Sequence, residues 1–132
     1  MDTSAFLAGL DRRDQWHHPA AQGFRQLARE RRPLVTTNLV VAEVYSLALR
    51  SLGLRLARQW LEEDLSGIPV FFQREEHHPR VRELLHRSQT PGLSYVDALS
   101  FVAMEEIGTS VAFTFDHDFQ QYGWTLYPAP LG

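Results

Sequence analysis

The chain contains no cysteine and no lysine. Without cysteine there are no disulfides, no thiolate nucleophile and no cysteine-ligated zinc, although the compartment is not fixed by that alone. All 13 cationic side chains are arginine. The absence of lysine removes a phosphate-cradling Gly-Lys-Ser/Thr loop, Schiff-base chemistry and lysine-assisted phosphorylation of an aspartate. Arginine offers bidentate phosphate contacts instead. Positive charge is not in excess, since the formal net charge is −3; a polyanionic substrate is therefore held locally, through metal and selected arginines, rather than by a global basic field. Long hydrophobic runs are missing too. No apolar stretch approaches the roughly 20 residues needed to cross a bilayer, and no basic leader with an apolar core and cleavage site opens the chain. The expectation is a cytoplasmic protein without a membrane segment. With 132 residues, 44% of them hydrophobic, and neither repeats nor long linkers, a single domain spanning 1–132 is expected.

The apolar periodicity alternates helices with short strands. Helices are expected over Ser4 to Leu10, over Pro19 to Arg31 with Ala21, Phe24, Leu27 and Ala28 on one face, and from a Thr37 or Asn38 cap to Leu52, where Gly53 stops it. Further helices are expected over Leu54 to Leu65, Glu75 to Ser88, Ser94 to Ile107 and, briefly, Asp118 to Tyr122. Leu34 to Thr36, Ile68 to Phe72, Val111 to Phe115 and Trp124 to Tyr127 read as strands, followed by a Pro-rich tail. Strands separated by helical segments imply crossover connections. The fold class is α/β, with a mostly parallel sheet covered on both faces.

Four acids stand where a soluble domain rarely places them. Asp2 lies in the opening Asp-Thr-Ser, Glu43 interrupts the apolar run from Leu39 to Tyr45, Asp97 interrupts Tyr95 to Leu99, and Asp116 ends the run from Val111 to Phe115. Ionised carboxylates are seldom buried unless paired or bound to a cation, and a hard divalent metal takes oxygen ligands. Asp2 and Asp116 fall at strand ends, where open α/β sheets bind ligands. Glu43 with Ser46 and Arg50, and Asp97 with Ser100, form narrow polar stripes on two apolar helices. Taken singly, each acid reads equally well as a cap or an exposed side chain.

Asp2-Thr3-Ser4, the segment Leu-Val-Thr-Thr-Asn-Leu-Val-Val-Ala-Glu-Val ending at Val44, Leu93 to Leu99, and Thr114 to Phe119 followed by Gly123 together resemble the PIN-domain ribonucleases, most closely the VapC toxins of bacterial toxin–antitoxin pairs. The resemblance spans essentially the whole chain in the family's order. It implies a three-layer α/β/α fold in which Asp2, Glu43, Asp97 and Asp116 hold Mg²⁺ or Mn²⁺, with Asp97 and Asp116 nearest the ion and Glu43 or Asp2 partly through water. Ser4 and Thr114 would be polar support. The implied activity is metal-dependent hydrolysis of RNA phosphodiesters to 5′-phosphate and 3′-hydroxyl ends, in a cytoplasmic homodimer neutralised by a small cognate antitoxin. Family members carry a few apolar residues before the Asp-Thr-Ser, forming the first central strand, whereas here the aspartate is the second residue. Either the recorded start lies downstream of the true one, or the first strand is a stub and Asp2 is less firmly held. The alternatives are a catalytically weak or inactive PIN-like RNA-binding module and a housekeeping RNA-processing nuclease.

Other residues have plainer readings. Asp118 is a fifth acid at the rim or a cap for the short helix after it. His17-His18 and His77-His78 each precede a proline and belong in turns at helix starts. His117 is a rim contact to substrate or a proton carrier. Arg25, Arg29, Arg31 and Arg32 form a solvated helix face or an RNA track. Arg12 and Arg13, close in sequence to Asp2, are the better candidates for phosphate contact. Tyr45 and Trp60 belong to the core or to a groove for a partner.

Overall fold

The computed structural model describes residues 1–130; the last two residues of the Pro-rich tail, Leu131 and Gly132, lie outside it. The elements are α1 (Thr3–Leu10), α2 (His17–Arg29), β1 (Thr36–Thr37), α3 (Asn38–Leu52), α4 (Leu54–Gln59), β2 (Val70–Phe71), α5 (His77–Arg87), α6 (Tyr95–Ile107), β3 (Val111–Phe113) and β4 (Thr125–Tyr127). α4 runs on into a π-helical turn, Trp60–Asp64, closed by the Leu65 N–H donating to the Trp60 carbonyl at 2.8 Å. A 3₁₀ turn covers His117–Tyr122.

All strand pairing is parallel: β1 with β2 and β3 with β4. The two pairs share no ladder. Met1 and Asp2 stitch them together. The Met1 ammonium donates to the Val35 carbonyl at 2.8 Å, the Thr36 hydroxyl donates to the Met1 carbonyl at 2.9 Å, and the Asp2 N–H donates to the Phe113 carbonyl at 3.1 Å. The Met1–Asp2 segment thus bridges the two pairs through its backbone. Beside it lies a cavity of about 330 Å³ lined by Val35, Thr36, Ala103, Met104 and Val111, among others.

Burial explains the helices. α6 buries seven consecutive residues, Ala98 to Met104, and is apolar all round, as a central helix must be. Val81 of α5 packs against Ala98, Leu99 and Val102. Val40 and Val44 of α3 meet Phe6 and Trp60 in a second cluster, with Tyr45 packed partly buried beside it, so Trp60 and Tyr45 are core residues. Thr37, not Asn38, caps α3 by accepting the Val40 N–H. The inner face of α2 differs from the expected one: Ala20, Gly23 and Leu27 are buried and Ala28 is exposed. Gly23 lies against Phe113 and Tyr127, where a Cβ would stand 3.0 Å from one ring and 3.3 Å from the other. The helix rotates to bring this small residue to the close approach.

Candidate metal centre

The opening Asp-Thr-Ser folds as a helix cap. Asp2 is the N-cap of α1 and is buried; its Oδ1 accepts from the Ser4 hydroxyl at 2.8 Å and the Ala5 N–H at 3.3 Å, and its Oδ2 accepts from the Thr114 hydroxyl at 2.8 Å. Burial pushes its carboxyl up to about 6, against the pull of those bonds. Asp2 is therefore held firmly, by three hydrogen bonds.

Thr114 connects this end of the site to the other. Its hydroxyl oxygen also accepts the Asp116 N–H at 2.9 Å, while the Ser4 hydroxyl accepts the Phe115 N–H at 2.9 Å. Asp116 then caps the 3₁₀ turn, with Oδ1 accepting the Asp118 N–H at 3.0 Å. Ser4 and Thr114 thus both hold the Asp2 carboxylate, and Thr114 also anchors the Asp116 backbone.

Asp97 enters from the first turn of α6, in a capping box with Ser94: the Asp97 N–H donates to Ser94 Oγ at 3.1 Å and the Ser94 N–H donates to Asp97 Oδ2 at 3.3 Å. Burial raises its pKa, the Ser94 bonds lower it, and the charges of Asp116 and Glu43 raise it further. Those two charges are thus near enough to act on Asp97. Glu43 is half-buried on α3. A small cleft is lined by Asp97, Asp116 and Asp118. Asp118 so combines its place at the rim with a backbone N–H given to Asp116. The 330 Å³ cavity lies elsewhere, and of the four acids only Asp2 lines it. Ser100 lines that cavity and donates to the Val96 carbonyl at 3.2 Å.

The donor set suits a hard divalent cation. It offers only oxygen, and among the described residues none of Asp2, Glu43, Asp97 or Asp116 is paired with an arginine; the ion pairs engage Asp11, Glu30, Glu76, Glu83, Glu105 and Glu106 instead. Unpaired acids at half-buried and buried positions are costly unless a cation neutralises them. In the rotamers observed, no three His, Asp or Glu side chains among the described residues converge as a finished cage. Among those residues, Asp97 Oδ1 and Asp116 Oδ2 accept no hydrogen bond, whereas both oxygens of Asp2 do.

The PIN domain family model matches residues 1–124. The chain belongs to the PIN-domain family. No curated protein sequence matches it. Among solved structures, the Mycobacterium tuberculosis toxin VapC20, described as cleaving the sarcin-ricin loop, superposes with a TM-score of 0.81 at 29% identity, over 93% of each chain. The protein has the PIN α/β/α fold and is a VapC-type nuclease. Its parallel strand pairs belong to the central sheet of that fold.

Arg12, Arg13 and His117 are exposed. Arg13 is tied to Asp11 at 3.2 Å, while Arg12 carries no ion pair among the described residues. Arg25, Arg29, Arg31 and Arg32 are all exposed. His17 and His77 open α2 and α5 as expected; His77 is buried, its Nδ1 accepting the Arg74 N–H at 2.8 Å and its Nε2 standing 3.2 Å from Glu106. One neighbour of the acids had no visible signal in sequence. Trp16, in the turn before α2, stacks on Phe115.

Proposed function

We propose that the chain is a metal-dependent endoribonuclease and the toxin of a toxin–antitoxin pair, with Asp2, Glu43, Asp97 and Asp116 as its acidic centre. The observation that supports this most is the group of unpaired acids, in which Asp116 and Glu43 act electrostatically on a half-buried Asp97. A bound Mg²⁺ or Mn²⁺ would polarise a phosphate oxygen and lower the pKa of the attacking water. Asp97 and Asp116, each with one oxygen pinned by a backbone N–H and one open, are the direct ligands in this reading. Glu43 completes the set from α3. Asp2, with both oxygens occupied, acts partly through water and keeps the strand ends in place. Arg12 is the phosphate contact and His117 the rim contact, with Asp118 behind Asp116.

The partners that go with this reading are an RNA substrate, a small antitoxin and a second copy of the chain, in the cytoplasm. Leu49, Leu54 and Leu61, exposed on and just beyond α3 and α4, supply apolar surface for a protein partner; sedimentation of the wild type against Leu54→Glu checks the dimer.

The description of VapC20 makes a sarcin-ricin loop RNA the first defined substrate to try, beside a mixed structured RNA pool. Cleavage is expected with Mg²⁺ or Mn²⁺, to stop with chelator, and to fall at least about a hundredfold in Asp97→Asn with the fold intact by circular dichroism. Full activity of that variant would remove Asp97 from the centre. No cutting by the wild type with either metal would leave a binding module as the better reading.

A further inference from the structure

Trp16 and Phe115 lie face to face, with ring centroids 5.4 Å apart and an interplanar angle of 6°. The stack joins residues that are remote in sequence, and it is anchored at both ends. The Trp16 N–H donates to Asp14 Oδ1 at 2.8 Å and its carbonyl accepts the Ala20 N–H at 2.9 Å, which fixes the turn into α2. The Phe115 N–H is held by Ser4, which also donates to Asp2, and Asp116 follows directly. The aromatic pair is therefore bolted to the acidic centre through a single hydroxyl. His117 stands 6.1 Å from Trp16.

Phe115 covers one side of the indole, yet Trp16 is 36% exposed. The same turn carries Arg12 and Arg13, both exposed. A flat, fixed π-surface that is partly open, in the turn that carries Arg12 and Arg13 and stacked on the residue next to Asp116, is an arrangement on which an unstacked base adds as the next layer. Covering Phe115 alone would be done as well by an aliphatic side chain and would not call for a near-parallel indole.

We propose that Trp16 is a nucleobase-stacking subsite that holds one unpaired base of the RNA substrate beside the acidic centre. The proposal rests on the nuclease reading above and deepens it. Trp16 is a binding residue, and its contribution is to KM more than to kcat.

The test compares wild type, Trp16→Ala and Trp16→Phe on a single-stranded oligoribonucleotide that the wild type cuts, together with a series carrying one abasic position at a time. Binding is read separately in chelator, with the Asp97→Asn background as a second uncut condition. Trp16→Ala is expected to weaken binding about 5- to 100-fold and to raise KM to match, with kcat changed by less than about threefold, while Trp16→Phe recovers most of the loss. One abasic position should weaken wild-type binding to a similar extent and add nothing in Trp16→Ala. Equal KM and equal binding for wild type and Trp16→Ala would overturn the subsite and leave the nuclease standing. A wild type that neither binds nor cuts RNA would overturn both.

Discussion

Thr114 is buried, and its one hydroxyl serves two masters: it donates to Asp2 and accepts from the Asp116 backbone. Thr114→Val keeps the shape and removes both bonds, leaving a buried carboxylate oxygen and an amide short of partners. A loss of about 2 kcal/mol in urea unfolding is expected, with a fall in cleavage as Asp116 loses its anchor. Asp2 carries a pH dependence of unusual sign for an aspartate. Its folded pKa, about 6, lies above the ordinary value of 3.8, so the native state favours the protonated form. Its contribution to stability is complete below about pH 4 and is lost as pH rises through about 6. A cation bound to the ionised cluster offsets that loss. The rise in Tm on adding Mg²⁺ is expected to grow between about pH 5 and about pH 7, and a gain constant across that interval would take Asp2 out of the binding set. At this scale the acids were legible from sequence, because a charge within an apolar run stands out. Trp16 was not, since a tryptophan in a polar turn carries no sign of the distant ring it meets.

Among the elements, α6 couples the site to the core. Its capping box uses the Asp97 carboxylate as well as the Ser94 hydroxyl, so helix start and candidate ligand share one side chain. Ser94→Ala is expected to cost about 1 kcal/mol and to lower cleavage, with Ser94→Thr restoring both; undiminished cleavage in the alanine variant would separate the cap from the centre. The long helices could be read in advance because their apolar spacing and their glycine stops agree, as at Gly53 and Gly108. Strand ends could not. Val111 to Phe115 reads as one strand, yet the ladder stops at Phe113. The reason lies in the site: the Phe115 N–H goes to Ser4 and the Asp116 N–H to Thr114, so side chains take the amides a longer strand would have used. The π turn after α4 was equally hidden, since one added residue in a turn scarcely alters the apolar pattern.

Across the whole molecule, α/β class, parallel pairing and element order followed from composition and periodicity, while the division of the sheet did not, because which strands share a ladder depends on long-range packing that local periodicity does not carry. The two strand pairs share no ladder, and their backbone hydrogen bonds meet through Met1 and Asp2, while α6 packs against both. Glu43 sits on α3, which continues directly from β1, and Asp116 follows β3, so the proposed ligands belong to different strand pairs. A cation drawing on both acts as a clasp as well as a reagent. In amide hydrogen exchange of the metal-free protein the β1–β2 and β3–β4 amides, which share no ladder, are expected to exchange at separate rates. Saturating Mg²⁺ is expected to bring them to one common, slower rate. The ion that prepares the protein to cut would then also decide whether its two strand ladders breathe apart or together.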